Sequence, residues 1–416
     1  MKIKIKNTSY EKVLKLKKPK HKKPKRPSLL FKWLVRFLSV GELKKANFTY
    51  TFKSQIGKGP YLILMNHSSF IDLKMASRIF KKIPYNIVST TDALVGKEWL
   101  MRNIGCIPTQ KFVSDLTLIN DIKHSLSKRR SVLMFPEAGY SFDGTATPIP
   151  QGFSRLIKYL GVPVLFVKSY GAYHHDPLYN NLQIRSVPVS AEVEEILTIA
   201  DINTKTNPEI DKIINDSFTF DNFKWQQENK IVVDEPFRAD GLERILYKCP
   251  SCKTEGKTKG KGEILRCKTC EKVYYLGKYG DLKTPDKTLE FSHIPDWYNW
   301  EREEVKKEIL NGIYRLEEQV EIGMIVDYKC LYMIGKGTLI HDQNGFTLTS
   351  DDGKLHYTQP PTASHTLNAD YYWYEIGDVI SIGDKKALYY CFVKDGVSVA
   401  KARLATEEMF KLSKNK

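Results

Sequence analysis

Between about residue 48 and residue 230 the chain alternates short apolar runs with amphipathic ones, and this alternation constrains the fold more than any other feature. Tyr61–Met65, Tyr85–Ser89, Val132–Phe135 and Val164–Val167 read as strands, with Gln183–Val189 as a further candidate. Asp72–Phe80, Lys97–Asn103, Leu116–Lys128 and Gly152–Leu160 read as the helices between them. Strands alternating with helices predict an α/β layer built on a mainly parallel sheet. Sites in such sheets form where strands end and loops begin, so polar motifs at strand ends are the first place to look for chemistry.

Three motifs fall there. The run Leu62–Met65 breaks at Asn66 and delivers His67, with Asp72 five positions on at the head of a helix. A histidine takes a proton from a hydroxyl near neutral pH when a carboxylate fixes its tautomer and stabilises the imidazolium. Gly105-Cys106-Ile107-Pro108-Thr109-Gln110-Lys111 puts a cation in a turn. Phe135-Pro136-Glu137-Ala138-Gly139-Tyr140-Ser141 stops a strand at Pro136 and leaves Glu137 at its mouth. Each has a plain structural reading as well: Asp72 complements a helix dipole, Glu137 caps the next segment, and Lys111 is a solvated turn residue. Taken in order and spacing with Val162-Pro163-Val164, however, they resemble the four motifs of the glycerolipid acyltransferases over roughly residues 48–200. The match is to the lysophosphatidic acid (1-acylglycerol-3-phosphate) O-acyltransferases.

The resemblance implies His67 as general base, Asp72 as the group that holds its ring, and Lys111 at the position of a phosphate-binding arginine. It puts Glu137, with Asn66 and Gly139 beside the motif residues, in the acceptor site. One departure stands out. The family has Gly, Thr and Arg after the glutamate, where this chain has Ala138, Gly139 and Tyr140. That removes a bidentate phosphate fork, and a lysine at 111 is a point charge instead of a fork. The acceptor's identity is therefore open. No Gly-x-Ser-x-Gly elbow appears, which predicts direct transfer without an acyl-enzyme.

The net charge of +17 on 416 residues resembles a nucleic-acid binder's until it is located. Residues 1–36 hold fourteen Lys and Arg against Glu11 alone, leaving only +4 for the remainder. Residues 1–28 are Lys/Pro-rich and read as a basic disordered tail. Residues 29–47 read as an amphipathic interfacial helix, with Leu30, Trp33, Leu34, Phe37 and Leu38 on one face and Lys32 and Arg36 elsewhere. A polybasic segment ahead of an aromatic amphipathic helix fits an anionic membrane surface, and packing on the protein's own core is the alternative. No secretory signal and no apolar run of membrane-spanning length is found. The expected location is peripheral, on the cytoplasmic face of a membrane.

Cys249-Pro250-Ser251-Cys252 and Cys267-Lys268-Thr269-Cys270, separated by fourteen residues, predict a four-cysteine zinc ribbon over 241–285, between an acyltransferase-like region set at 48–240 and a C-terminal region at 286–416. Four thiolates leave no open position, so the zinc would be structural. A nucleic-acid ribbon is disfavoured because no aromatic residues interleave with Lys257, Lys259, Lys261, Lys268 and Lys272. The C-terminal region opens with a helix from Asp296 to about Asn311. After it, Tyr328–Ile334, Thr338–His341, Phe346–Ser350, Lys354–Thr358, Val379–Ile382, Ala387–Phe392 and Val397–Ala400 read as strands of a small barrel or curved sandwich. Its outline is like phosphoinositide-binding and GRAM-type modules.

The expected activity is a membrane-associated O-acyltransferase. Its donor would be acyl-CoA, acyl carrier protein or acyl-phosphate, and its acceptor a lysolipid hydroxyl, foremost 1-acylglycerol-3-phosphate. Acyl carrier protein would be a partner if it carries the donor. Two alternatives remain: an inactive acyltransferase-like zinc-ribbon and β-domain binding protein, and an acyltransferase with a non-phosphate acceptor.

Overall fold

The computed structural model describes residues 3–110, 115–285, 288–394 and 396–414. The chain begins with β1 (Ile5–Asn7) and α1 (Tyr10–Leu14), runs extended to α2 (Leu29–Lys45), and enters the α/β layer at β2 (Thr49–Phe52). The layer continues through β3 (Leu62–Met65), α3 (Ile71–Ile79), β4 (Tyr85–Thr90), α4 (Glu98–Asn103), β5 (Cys106–Thr109), α5 (Leu116–Ser127) and β6 (Ser131–Met134). It ends with α6 (Phe153–Leu160), β7 (Val164–Tyr170), α7 (Ala172–His175) and β8 (Ser190–Leu197). The sheet order is β2-β8-β7-β3-β6-β4-β5, and every pair is parallel except β7 with β8. The central strands β3 and β6 are buried along their whole length, as sequences LILM and SVLM flanked by helices should be.

The expected α/β class is met, with one strand displaced. Residues 183–189 form no strand, and the antiparallel strand is Ser190–Leu197, between β2 and β7, where Ala191, Val193 and Leu197 bury and Glu194 faces solvent. Pro188 interrupts the earlier apolar alternation and removes a donor that a ladder would need. Helices α8 (Ile199–Thr204), α9 (Asn207–Phe218) and α10 (Asn222–Glu228) follow β8.

A four-stranded antiparallel ribbon comes next, ordered β12-β11-β10-β9: β9 (Thr258–Lys261), β10 (Ile264–Cys267), β11 (Val273–Leu276) and β12 (Leu282–Lys283). It rests on α11 (Ile294–Leu310), whose Trp297 is fully buried and donates from Nε1 to the Lys248 carbonyl at 3.0 Å. The last module holds β13 (Arg315–Met324), β14 (Leu331–Asp342), β15 (Gly345–Ser350), β16 (His356–Gln359), β17 (Asn368–Trp373), β18 (Gly377–Gly383) and β19 (Leu388–Val393). Their order is β16-β15-β14-β13-β19-β18-β17, two meanders joined by pairing of β13 with β19. Helix α12 (Val397–Lys414) packs into the curve of this sheet and against α11, burying Val399, Ala400, Ala402, Leu404 and Ala405.

Three expectations need correction here. Residues 328–334 and 338–341 belong largely to one continuous strand, β14. Val397–Ala400 is the first turn of α12: its Val-Ser-Val-Ala alternation mimics a strand but leads directly into the helix-forming run KARLATEEMFKL. The third concerns the basic tail, which is ordered in its described part. β15 covers β14 only from Gly337 onward, so Leu331–Met333 present an open edge, and Ile5–Asn7 pair with it in parallel. Ile3 and Val13 bury beneath, while most of the lysines stay in solvent. The strap then crosses to the α/β layer. His21 bonds Asp121, the Asn86 amide donates to the Lys25 carbonyl at 2.9 Å, and Arg102 donates to the Lys22 carbonyl at 3.2 Å.

Candidate active site and four-cysteine cluster

β3 ends on the sheet's carboxyl edge between β6 and β7, and the next residues turn back over that edge. Asn66 anchors the turn: its Oδ1 accepts from Ser169 N at 2.8 Å and Ser169 Oγ at 3.0 Å. It is thus tied to β7 by its own side chain. His67 follows with its side chain 16% exposed, and Nδ1 lies 3.0 Å from Asp72 Oδ2. The same oxygen accepts Ser68 N at 2.8 Å and Ser69 N at 3.0 Å. Asp72 sits in the first turn of α3 and is fully buried, with three groups bonded to one oxygen and the other without a partner among the described residues. With Nδ1–H directed at Asp72, the neutral imidazole keeps Nε2 free to accept a proton.

Glu137 follows β6 and braces the same turn. Its Oε2 accepts His67 N at 2.7 Å, and its Oε1 accepts Thr147 N at 2.9 Å and Thr147 Oγ1 at 3.0 Å. Burial pushes its carboxyl up to about 7, against the pull of those three donors. Both oxygens are therefore committed to protein groups. Gly139 stands beside open space, and Ala138 before it holds φ of +54°. Lys111 lies outside the described residues.

Two features around His67 were not foreseen. Its ring is sandwiched between Phe135 and Tyr140, each with its centroid 4.1 Å away. Below it, Asp176 accepts a hydrogen bond from Ser69 Oγ, and Ser69 Oγ also accepts from Ile71 N at 3.1 Å. Burial, with the charges of Asp72 and Glu42, pushes Asp176 up to about 8. From sequence, Tyr173-His174-His175-Asp176 follows a strand and could reach the site or bind metal, with a polar surface loop the commoner reading; all four are buried around α7. Its signal was an aspartate one residue past two histidines; nothing local announced Thr147.

The four cysteine sulfurs lie within 4.8 Å of one another, with Cys249–Cys270 at 3.8 Å and Cys252–Cys267 at 3.6 Å. Zinc bound tetrahedrally at about 2.3 Å from each sulfur requires sulfur separations of about 3.8 Å, so the donor set and spacing fit such an ion. Cys249 and Cys267 are buried, and β9–β10 is the hairpin between the knuckles. Cys106, Cys330 and Cys391 are buried free thiols elsewhere.

A paired histidine and carboxylate at the carboxyl edge of a mixed sheet, with one imidazole nitrogen left over, is an arrangement that transferase and hydrolase sites can use for general-base chemistry. The comparisons narrow that class. The family model described as Acyltransferase matches residues 46–168, so the part of the layer that carries His67, Asp72 and Glu137 is an acyltransferase domain. The match leaves out the ribbon and the C-terminal module. Among solved structures the chain is similar to the 1-acyl-sn-glycerophosphate (LPA) acyltransferase PlsC from Thermotoga maritima. The identity is 16% and the TM-score 0.36, over 45% of this chain and 76% of that one. No curated protein matches the chain.

Proposed function

We propose that this protein is a membrane-surface O-acyltransferase that moves a fatty-acyl chain from an acyl thioester or acyl-phosphate to a glycerolipid hydroxyl, with 1-acylglycerol-3-phosphate the first acceptor to test. The observation that carries it is the 3.0 Å bond from His67 Nδ1 to a buried Asp72, within the acyltransferase domain. His67 Nε2 takes the hydroxyl proton as the acceptor oxygen bonds to the acyl carbonyl carbon. The carbon–sulfur bond, or carbon–oxygen bond of an acyl-phosphate, then breaks, and the proton passes to the leaving group. A positioned base typically contributes about 10² to 10⁴ in rate. Asp72 stabilises the imidazolium, while Glu137 and Asn66 fix the backbone that presents the ring.

Membrane contact is supported by α2. Leu30, Trp33, Phe37 and Leu38 are 60–68% exposed on one side of it, while Leu43 packs inward on the side where Arg36 bonds the Lys81 carbonyl and Lys32 lies over the Tyr85 ring. Trp99 on α4 extends the apolar surface and meets Phe31 edge-on at 5.4 Å. No helix among the described residues is long and apolar enough to cross a bilayer, so attachment would be peripheral. A second reading concerns the acceptor. Tyr140 stands where the family carries an arginine, and burial, with the charges of Asp370 and Asp72, holds its hydroxyl well above the usual range. That setting favours an acceptor without a phosphomonoester.

The test is purified protein with labelled palmitoyl-CoA, palmitoyl-acyl carrier protein or palmitoyl phosphate and a panel of lysolipids and neutral monoacylglycerols, with products identified by mass. Transfer by the wild type and its loss by at least about 10²-fold in His67→Ala, with fold and metal content kept, is the expected result. Near-normal transfer by that variant would refute the assignment.

A further inference from the structure

The acyltransferase domain does not build the surroundings of His67 alone. Tyr140, the plate on one side of the imidazole, also meets Phe70 at 5.5 Å, and its backbone carbonyl accepts Arg403 Nη1 at 3.0 Å from α12. Arg403 is 4% exposed, and its guanidinium lies 4.3 Å from the centre of the Phe142 ring. Its Nε lies 3.3 Å from Glu407 Oε1, and Glu407 also receives Arg302 of α11 at 2.7 Å and Thr366 Oγ1 at 2.6 Å. Phe142 in turn packs on Tyr371 of β17 at 4.7 Å. The loop from Ala138 to Phe142 is therefore held from outside its own domain. Its near end is poorly supported, since Ala138 sits in the left-handed region and Gly139 touches little.

A buried arginine neutralised by a carboxylate on its own helix, stacked on one aromatic and donating to the carbonyl of another, is a costly way to join two modules. It does tie the Tyr140 backbone by a 3.0 Å hydrogen bond, with the Tyr140 ring centre 4.1 Å from that of His67. An acyl donor beside an activated base can be attacked by water as readily as by an alcohol. Transfer therefore needs a wall that keeps water from the acceptor side.

We propose that the C-terminal module is a working part of the active site, in which Arg403 is a positioning residue that holds Tyr140 as the water-excluding wall beside His67. The inference rests on the acyl-transfer reading above. Without the wall, water donates its proton to His67 Nε2, its oxygen bonds to the acyl carbon, and the thiol leaves with free fatty acid as product.

The experiment measures free fatty acid against acylated lipid in the same reaction, using full-length metal-loaded protein, palmitoyl-CoA and the acceptor that wild type uses best. Arg403→Ala is expected to raise the ratio of hydrolysis to transfer at least tenfold and the acceptor KM severalfold, with Arg403→Lys restoring most of the difference. A merely structural role lowers both products together and leaves their ratio unchanged. Tyr140→Ala removes the wall without touching the arginine and should raise the ratio equally, which keeps the test open should Arg403→Ala fold poorly. An unchanged ratio in folded Tyr140→Ala overturns the proposal while leaving the acyltransferase reading in place. A wild type that consumes no donor overturns that reading instead, and the inference with it.

Discussion

The His67 corner and the four-cysteine corner are both assembled from short loops at strand ends, yet they spend their polar atoms in opposite ways. In the ribbon four cysteine sulfurs lie within 4.8 Å of one another, a complete tetrahedral set that leaves a bound ion no position for substrate. At His67 most polar atoms are committed and two are not. Asp72 Oδ2 takes three donors, Glu137 uses both oxygens and Asn66 is tied to Ser169, while His67 Nε2 and the buried Asp72 Oδ1 are left over among the described residues. A closed donor set supports the fold, and a set with a vacancy at the base supports chemistry. Perturbing the first should move stability before activity, and perturbing the second should do the reverse.

The largest effect expected is from stripping the metal. Structural zinc sites in small peptides are worth about 10–16 kcal/mol of apparent binding energy at pH 7, so a chelator or Cys252→Ser should unfold the ribbon. Trp297, buried beneath it and bonded to Lys248, should report this as a shift in fluorescence together with a lower thermal midpoint. An unmoved midpoint with metal measurably gone would break the comparison. Next comes Asp72→Asn, which removes the charge opposite the imidazolium and can donate to Nδ1, placing the proton on Nε2. Transfer should fall by at least about 10²-fold with the fold kept, as read by steady-state rates beside a melting curve.

The features that could be read from sequence share one property: their geometry is set within a few residues. His67 and Asp72 are five apart, each Cys pair closes a single knuckle, and β3, β6 and β7 are apolar runs too short to be helices. What stayed hidden depends on partners far along the chain. Ile5–Asn7 pairs with an edge more than three hundred residues away, the start of β14 that β15 leaves uncovered. Arg403 reaches Tyr140 across 263 positions, and no local pattern near either residue signals it. The motif puts Glu137 at a strand mouth, but its engagement with Thr147 depends on how the intervening loop returns. The strap shows the same limit in reverse. Gly105 holds φ of +98°, and a Cβ there would lie 2.5 Å from Pro27 Cγ. A glycine inside a recognised motif thus also makes room for the tail that a charge count assigned to disorder.

A smaller effect separates the two buried carboxyls beneath His67 from Asp72. Glu137 is raised to about 7 from an ordinary value of 4.5, so the folded protein holds a proton that the unfolded chain has released. Its stabilising contribution is fully present below about pH 4.5 and is lost as pH rises through about 7. Glu137→Gln should flatten that part of the stability profile. It should also cost about 1–3 kcal/mol, because the amide nitrogen meets an N–H from either His67 or Thr147 and leaves it unpaired. Urea unfolding across pH 5–8 measures both.

The least disruptive change is Asp176→Asn. Asp176 is raised to about 8 by burial, with Asp72 and Glu42 adding to the shift, so the same sign holds: stability is lost as pH climbs through about 8. Here the amide substitution is compatible with the geometry, because Asn Oδ1 can still accept from Ser69 Oγ. The variant should match wild type near pH 6 and exceed it modestly at pH 8–9, where wild type carries a second carboxylate charge beside Asp72. Transfer should survive, since Asp176 reaches His67 only through Ser69 and Asp72. If activity instead collapses with stability unchanged, the vacancy at the base extends deeper than Nε2, and the contrast with the closed cysteine set must be drawn around a larger group of residues.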